Sequence, residues 1–241
     1  SSVPIDTASS DGVTIDLTAP VMDAIYEGDL SEDLDLQQST ESLTLAWSGS
    51  DDASGIDQYE YAWGTTAGAI DIVAWSVTNE QYAETTGLSL QDGSIYYGSV
   101  RGTDLVSNQS ATLTGDGLTI DASPPTDGVV IDGDSVDIDF TSSTTTLTAT
   151  WSGFTDAGSG IGEYKYAIGT EPGGTQNVYW LSVGTDSSVT NSGLTLISGI
   201  TYYVSVKATD NLGNEGDFVA TDGITIDTQP PSAGTVNELS L

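Results

Sequence analysis

Apolar and polar residues alternate along most of this chain with the two-residue period of a β-strand. Leu43, Leu45 and Trp47 are separated by Thr44 and Ala46, and Leu147, Ala149 and Trp151 repeat the arrangement in the second half. Tyr164, Tyr166 and Ile168 line one face of a further strand, with Glu163 and Lys165 on the other. Tyr202, Val204, Val206 and Ala208 make another inward row, opposite Tyr203, Ser205 and Lys207. No window of a dozen residues holds a sustained helical stripe, so helix should be scarce. Short alternating strands divided by Gly, Ser, Asp and Asn turns predict two packed antiparallel sheets. Facing sheets give Trp47 and Trp151 contact on both sides of the ring, and burying such a ring contributes about 3 kcal/mol. In "VDIDF" (136–140) the same alternation puts Val136, Ile138 and Phe140 on one face and the two aspartates on a solvated one.

The pattern is duplicated. "DGVTID" at 11–16 returns as "DGLTID" at 116–121 and "DGITID" at 222–227, spacings of 105 and 106 residues, the size of one sandwich domain. Between these marks Trp47 matches Trp151, Gly55-Ile56 matches Gly160-Ile161, and Tyr59 and Tyr61 match Tyr164 and Tyr166. Trp75 matches Trp180, Tyr96-Tyr97 matches Tyr202-Tyr203, Asp104 matches Asp210, and Asn108 matches Asn214. The two units differ where the first has Gly98 and Gly102 and the second Val204 and Ala208. Glycine inside a strand weakens its packing or marks a bulge, so the first unit is expected to be the less stable.

The tryptophan ending the second strand, the Gly-Ile-x-x-Tyr-x-Tyr third strand, "ITYYVSVKATDNLGN" (200–214) and the closing "DGITID" together resemble the fibronectin type III-like and immunoglobulin-like tandem repeats of large bacterial secreted and cell-surface proteins. The resemblance implies an all-β chain of two tandem seven-stranded antiparallel β-sandwiches, one at 17–121 and one at 122–227. Residues 1–16 read as the end of a preceding repeat and 228–241 as the start of a following one. A short linker, "DASPPTDG" (121–128), carries two prolines that exclude helix and stiffen the connection.

Composition narrows the chemistry. Thirty-six Asp or Glu face only Arg101, Lys165 and Lys207, with no histidine, for a formal charge of -33. Such a chain repels nucleic acid and anionic lipid and attracts cations. It has no cysteine, so each domain must hold by its core or by bound ions. No apolar run is long enough to span or insert into a membrane. Without histidine or cysteine the usual general base and thiol nucleophile are gone, and no acidic pair sits in a recognisable catalytic sequence; the chain reads as no enzyme.

In the topology the resemblance implies, three segments bring oxygen ligands to the pole where the chain enters each domain. In the first they are Asp16, then Asp51 and Asp52, then Asp104 and Asn108; in the second, Asp121 and Asp127, then Asp156, then Asp210 and Asn214. Oxygen donors without nitrogen or sulfur suit a hard cation, and calcium accepts the irregular shell that loops provide. Carboxylates about 4 Å apart repel by about 1 kcal/mol per pair in water, more when partly buried. A structural calcium ion would remove that repulsion and rigidify each domain junction. The competing reading is that these aspartates only cap turns through backbone hydrogen bonds.

The expected role is a noncatalytic structural segment of a repetitive extracellular adhesin or surface filament at the bacterial cell surface, with neighbouring repeats as its partners. The alternative is a carbohydrate- or protein-binding module accompanying a secreted enzyme. A surface glycan or protein ligand would need exposed aromatics, for which Trp75 and Trp180 are the candidates; Trp63 reads as core.

Overall fold

The structure, a computed structural model, describes residues 12–28 and 31–234. The segments expected to belong to flanking repeats fall largely outside these residues; of them, 12–16 and 228–234 are described and carry no strand. The chain divides into two compact units, 1–120 and 121–241. Among the described residues there is no helix.

The first unit contains β1 (Val21–Glu27), β2 (Leu36–Gln37), β3 (Ser42–Ser50), β4 (Ile56–Gly64), β5 (Val73–Thr78), β6 (Tyr82–Thr86), β7 (Ile95–Asp104), β8 (Leu113–Thr114) and β9 (Leu118–Ile120). One sheet runs β1-β3-β6; the other runs β2-β9-β7-β4-β5, with β8 also on β7. The second unit repeats this with β10 (Val129–Asp132), β11 (Phe140–Thr141), β12 (Thr146–Ser152), β13 (Ile161–Gly169), β14 (Val178–Ser182), β15 (Ser188–Ser192), β16 (Thr201–Asp210), β17 (Val219–Ala220) and β18 (Ile224–Ile226). Its sheets run β10-β12-β15 and β11-β18-β16-β13-β14, with β17 on β16.

Among the described residues each unit is therefore a two-sheet sandwich with nine strands rather than seven, and with one parallel pairing. β2 lies parallel to β9, Leu36 opposite Thr119, and β11 lies parallel to β18, Phe140 opposite Thr225. The cause is that the first and last passes are broken. After Glu27 the chain leaves the three-stranded sheet and rejoins the six-stranded one as β2; the last pass is interrupted between β8 and β9. A strand that changes sheets cannot keep its original partner, so it pairs with the last strand in the only direction open to it.

The expected inward rows form the two cores. Trp47 packs with Leu43, Leu45, Tyr59, Trp63 and Val100; Trp151 packs with Leu147, Ala149, Tyr166, Ile168, Val204 and Val206. Trp63 is fully buried, as its place in the alternation of β4 requires. "VDIDF" does not form the expected strand. Only Phe140 reaches β11, and Val136, Ile138 and Phe140 are exposed, because this stretch is the crossing between sheets.

Gly98 and Gly102 are not at a bulge: they pair in register with Trp63 and Tyr59, and the irregularity of this ladder lies between Ile56 and Gln58. A β-carbon on Gly98 would come 2.3 Å from Leu45 Cδ1. In the second unit the positions of Leu45 and Gly98 hold Ala149 and Val204. The large and small residues have exchanged sheets, so the same gap is filled from the opposite side.

Candidate cation sites

Where the chain enters each sandwich, its acidic turns are built by side-chain bonds to backbone. Asp51 Oδ2 accepts from the N–H of Gly55 at 2.6 Å, and Asp156 Oδ2 from that of Gly160 at 2.6 Å. Gly55 and Gly160 have φ of 85° and 78°, a left-handed conformation that favours glycine and closes the turn. Asp104 Oδ1 accepts from Val106 and Asn108 N–H at 2.9 and 2.7 Å, and Asp210 Oδ1 from Leu212 and Asn214 at 2.9 and 2.8 Å. The entering segment adds Asp16, whose oxygens accept from the N–H groups of Thr18 and Ser54, both at 3.0 Å. Asp121 accepts from Ser159 N–H at 2.6 Å.

These bonds bring one oxygen each of Asp16, Asp51 and Asp104 within 4.8 Å of one another, and likewise Asp121, Asp156 and Asp210. Turn capping and convergence are thus two results of one geometry: the hydrogen bonds that close the turns also hold these carboxylates facing one another. Asp51 Oδ1 is buried and has no partner. Asp16 is held at a pKa of about 2 by the Ser54 side chain and by the N–H and hydroxyl of Thr18, all of which favour its charged form.

The remaining residues expected at this pole behave differently. Asp52 is exposed and accepts from the Thr18 hydroxyl at 2.8 Å; exposed Asp127 joins neither triad. Asn108 and Asn214 act as clips. Their Nδ2 groups donate to Asp104 Oδ2 at 2.7 Å and Asp210 Oδ2 at 2.6 Å, and also to the carbonyls of Thr18 at 3.0 Å and Asp121 at 3.1 Å.

A second pair of clusters lies at the far end of the first strand. Glu27, Asp33 and Asp116 converge in one unit, and Asp132, Asp137 and Asp222 in the other, again within 4.8 Å. Both sit at the breaks in the first and last passes. Glu27 and Asp132 are fully buried. Asp33 Oδ1 accepts from the N–H of Glu27 at 2.7 Å, and Asp137 Oδ1 from that of Asp132 at 3.1 Å. Burial pushes the Glu27 carboxyl up, against the Gly98 and Gly117 amides that favour its charge. It pushes Asp132 up to about 7, with neighbouring Asp137 and Asp222 adding to the shift. Sequence alternation missed these two acids because it assigns polar strand residues to a solvated face. A signal was nonetheless present: an acid followed by glycine at matching places, Glu27-Gly28 and Asp132-Gly133, then Asp116-Gly117 and Asp222-Gly223.

Trp75 and Trp180 lie outside both cores and are half-buried. The Arg101 guanidinium stands 4.2 Å from the Trp75 ring centroid and Lys207 Nζ 4.7 Å from that of Trp180. Arg101 also holds Glu60 through two bonds of 2.8 and 3.1 Å, while Lys207 and Lys165 share Glu215. Each ring thus has a cation over it, which leaves less of its surface for a sugar.

No family model matches the chain. Exoglucanase B of Cellulomonas fimi is 28% identical to it over 240 residues, 95% of this chain; the chain spans 19% of that protein's length. Domains A168-A170 of titin align with 86% of this chain and 68% of their own at a TM-score of 0.50 and 15% identity. The FN1-FN3 domains of chicken CNTN1 align with 80% of this chain and 65% of their own at a TM-score of 0.37 and 15% identity. No helix among the described residues is long and apolar enough to cross a membrane. The chain is a tandem of two-sheet β-sandwiches that resemble the fibronectin type III and immunoglobulin folds, with acidic clusters that could coordinate a divalent ion.

Proposed function

We propose that this segment is an accessory part of a secreted enzyme acting on a polysaccharide, where it holds neighbouring modules apart and takes no part in bond cleavage. The observation that carries the reading is the similarity to Exoglucanase B across 95% of the chain but only 19% of that protein. A segment of that size, without histidine or cysteine, accompanies catalysis supplied elsewhere in the same polypeptide. An extracellular location fits the acidic surface and the fold type. The similarity supports a segment beside an enzyme in preference to a filament built only from adhesive repeats.

Calcium at Asp16, Asp51 and Asp104, and at Asp121, Asp156 and Asp210, would stiffen the two chain entrances. The unpartnered Asp51 Oδ1 and the all-oxygen donor set support that part of the reading. The accessory role is tested by sequencing the reading frame on both sides of the segment. A flanking catalytic domain with a carboxylate pair set for glycoside hydrolysis is the expected result. A frame of sandwich repeats ending in a surface anchor would refute it.

A further inference from the structure

The two far-end clusters occupy equivalent places but differ in how the buried acid is satisfied. In the first unit both oxygens of Glu27 have donors: Oε1 accepts from Gly98 N–H at 2.6 Å and Oε2 from Gly117 N–H at 2.7 Å. The long side chain fits because Gly115 lacks a β-carbon; one placed there would lie 2.5 Å from the carboxyl carbon. The second unit has Thr221 at that position, and the Thr221 hydroxyl accepts from Val204 N–H at 3.2 Å. The amide that serves Glu27 in the first unit is therefore already taken in the second. Asp132, one methylene shorter and fully buried, has neither oxygen in a hydrogen bond. The Thr221 hydroxyl and Gly223 N–H face it and favour its charge without closing a bond of normal geometry. The oxygens of Asp137 and Asp222, both exposed, converge on it within 4.8 Å.

We propose that Asp132, Asp137 and Asp222 bind a calcium ion in the second unit, and that the Glu27 cluster of the first unit does not, because two backbone amides already occupy its buried carboxylate. The three ligands come from the end of β10, the crossing to β11 and the turn between β17 and β18. An ion there would tie together the breaks in the first and last passes. Three carboxylates supply hard oxygen donors, and water and carbonyl groups complete the shell of about six to eight oxygens that calcium prefers. Asp137 is already anchored by Asp132 N–H, which fixes one ligand before the ion arrives.

The proposal is independent of the accessory role and of calcium at the chain entrances, because it uses different residues. Its test is calorimetric titration of calcium chloride into the chelator-treated two-domain chain, comparing the unaltered protein with Asp132→Asn, Asp222→Asn and Asp116→Asn. Asp222 and Asp116 are exposed, so those two variants leave the cores intact. Asp132→Asn and Asp222→Asn should each lose the same single equivalent of bound calcium, while Asp116→Asn keeps the full number. Retention of every equivalent by Asp132→Asn and Asp222→Asn would overturn the site. Loss of an equivalent in Asp116→Asn would overturn the distinction between the units. Any calcium bound at the entrances should persist in all three variants, and its share in the second unit is read separately with Asp156→Ala.

Discussion

At the scale of single residues, the tyrosines show how a side chain can serve core and backbone together. Tyr96 and Tyr202 bury their rings while their hydroxyls accept from the N–H groups of Gln91 at 2.9 Å and Ile197 at 3.1 Å. Each hydroxyl fixes the corner before a long central strand, as tyrosine corners do in sandwich folds. Tyr202→Phe should therefore lower stability by about 1 kcal/mol without changing the fold, measured by urea unfolding. An unchanged midpoint would show that water replaces the bond. The tyrosine rings were legible in the sequence because inward positions recur every second residue. Their hydroxyl partners were not, since Gln91 and Ile197 are reached only once the corner closes. Glu27 and Asp132 were hidden for a different reason: alternation records polarity, and a buried acid carries the same polarity as a solvated one. Their burial follows from contacts with Gly98, Gly115 and Thr221, residues far along the chain.

Among the elements, the exchange of Leu45 and Gly98 for Ala149 and Val204 links β3 to β7 in one unit and β12 to β16 in the other. Gly98→Val should destabilise the first unit by about 1–3 kcal/mol through overpacking against Leu45. Leu45→Ala alone should remove about 2–5 kcal/mol by leaving a cavity. The double substitution reproduces the second unit's packing, so its loss should fall well below the sum of the two. Denaturant unfolding of the four proteins measures this coupling, and strict additivity would refute the exchange. A glycine in a strand looks like a weakness when read alone; its partner on the facing sheet supplies the missing volume. Strand existence was legible because the repeat stated each pattern twice. The division of the passes was not, because in the second unit Val136, Ile138 and Phe140 alternate with aspartates through the crossing just as they would in a strand.

At the scale of the whole molecule, charge and its few exceptions are distributed unevenly. The acids occur throughout, whereas Arg101, Lys165 and Lys207 all lie within β7, β13 and β16, the long strands of the six-stranded sheets. Their local role is to neutralise Glu60, Glu163 and Glu215 and, for two of them, to cover a tryptophan ring. These pairs are partly open to solvent, so salt screens them and each adds only modestly to stability.

Placement inside paired strands has another effect. A trypsin-like protease needs its target residue in an extended segment free to enter a cleft, and here all three targets are hydrogen-bonded to neighbours on the sheet. Cutting requires the sheet to come apart, so digestion should follow global unfolding and not local fraying. Trypsin should leave the native chain whole and degrade it promptly in denaturant; rapid nicking of the native form would show that these strands open by themselves. In the accessory role proposed above, a segment whose cleavage points are locked in this way would outlast one that carried them in its turns.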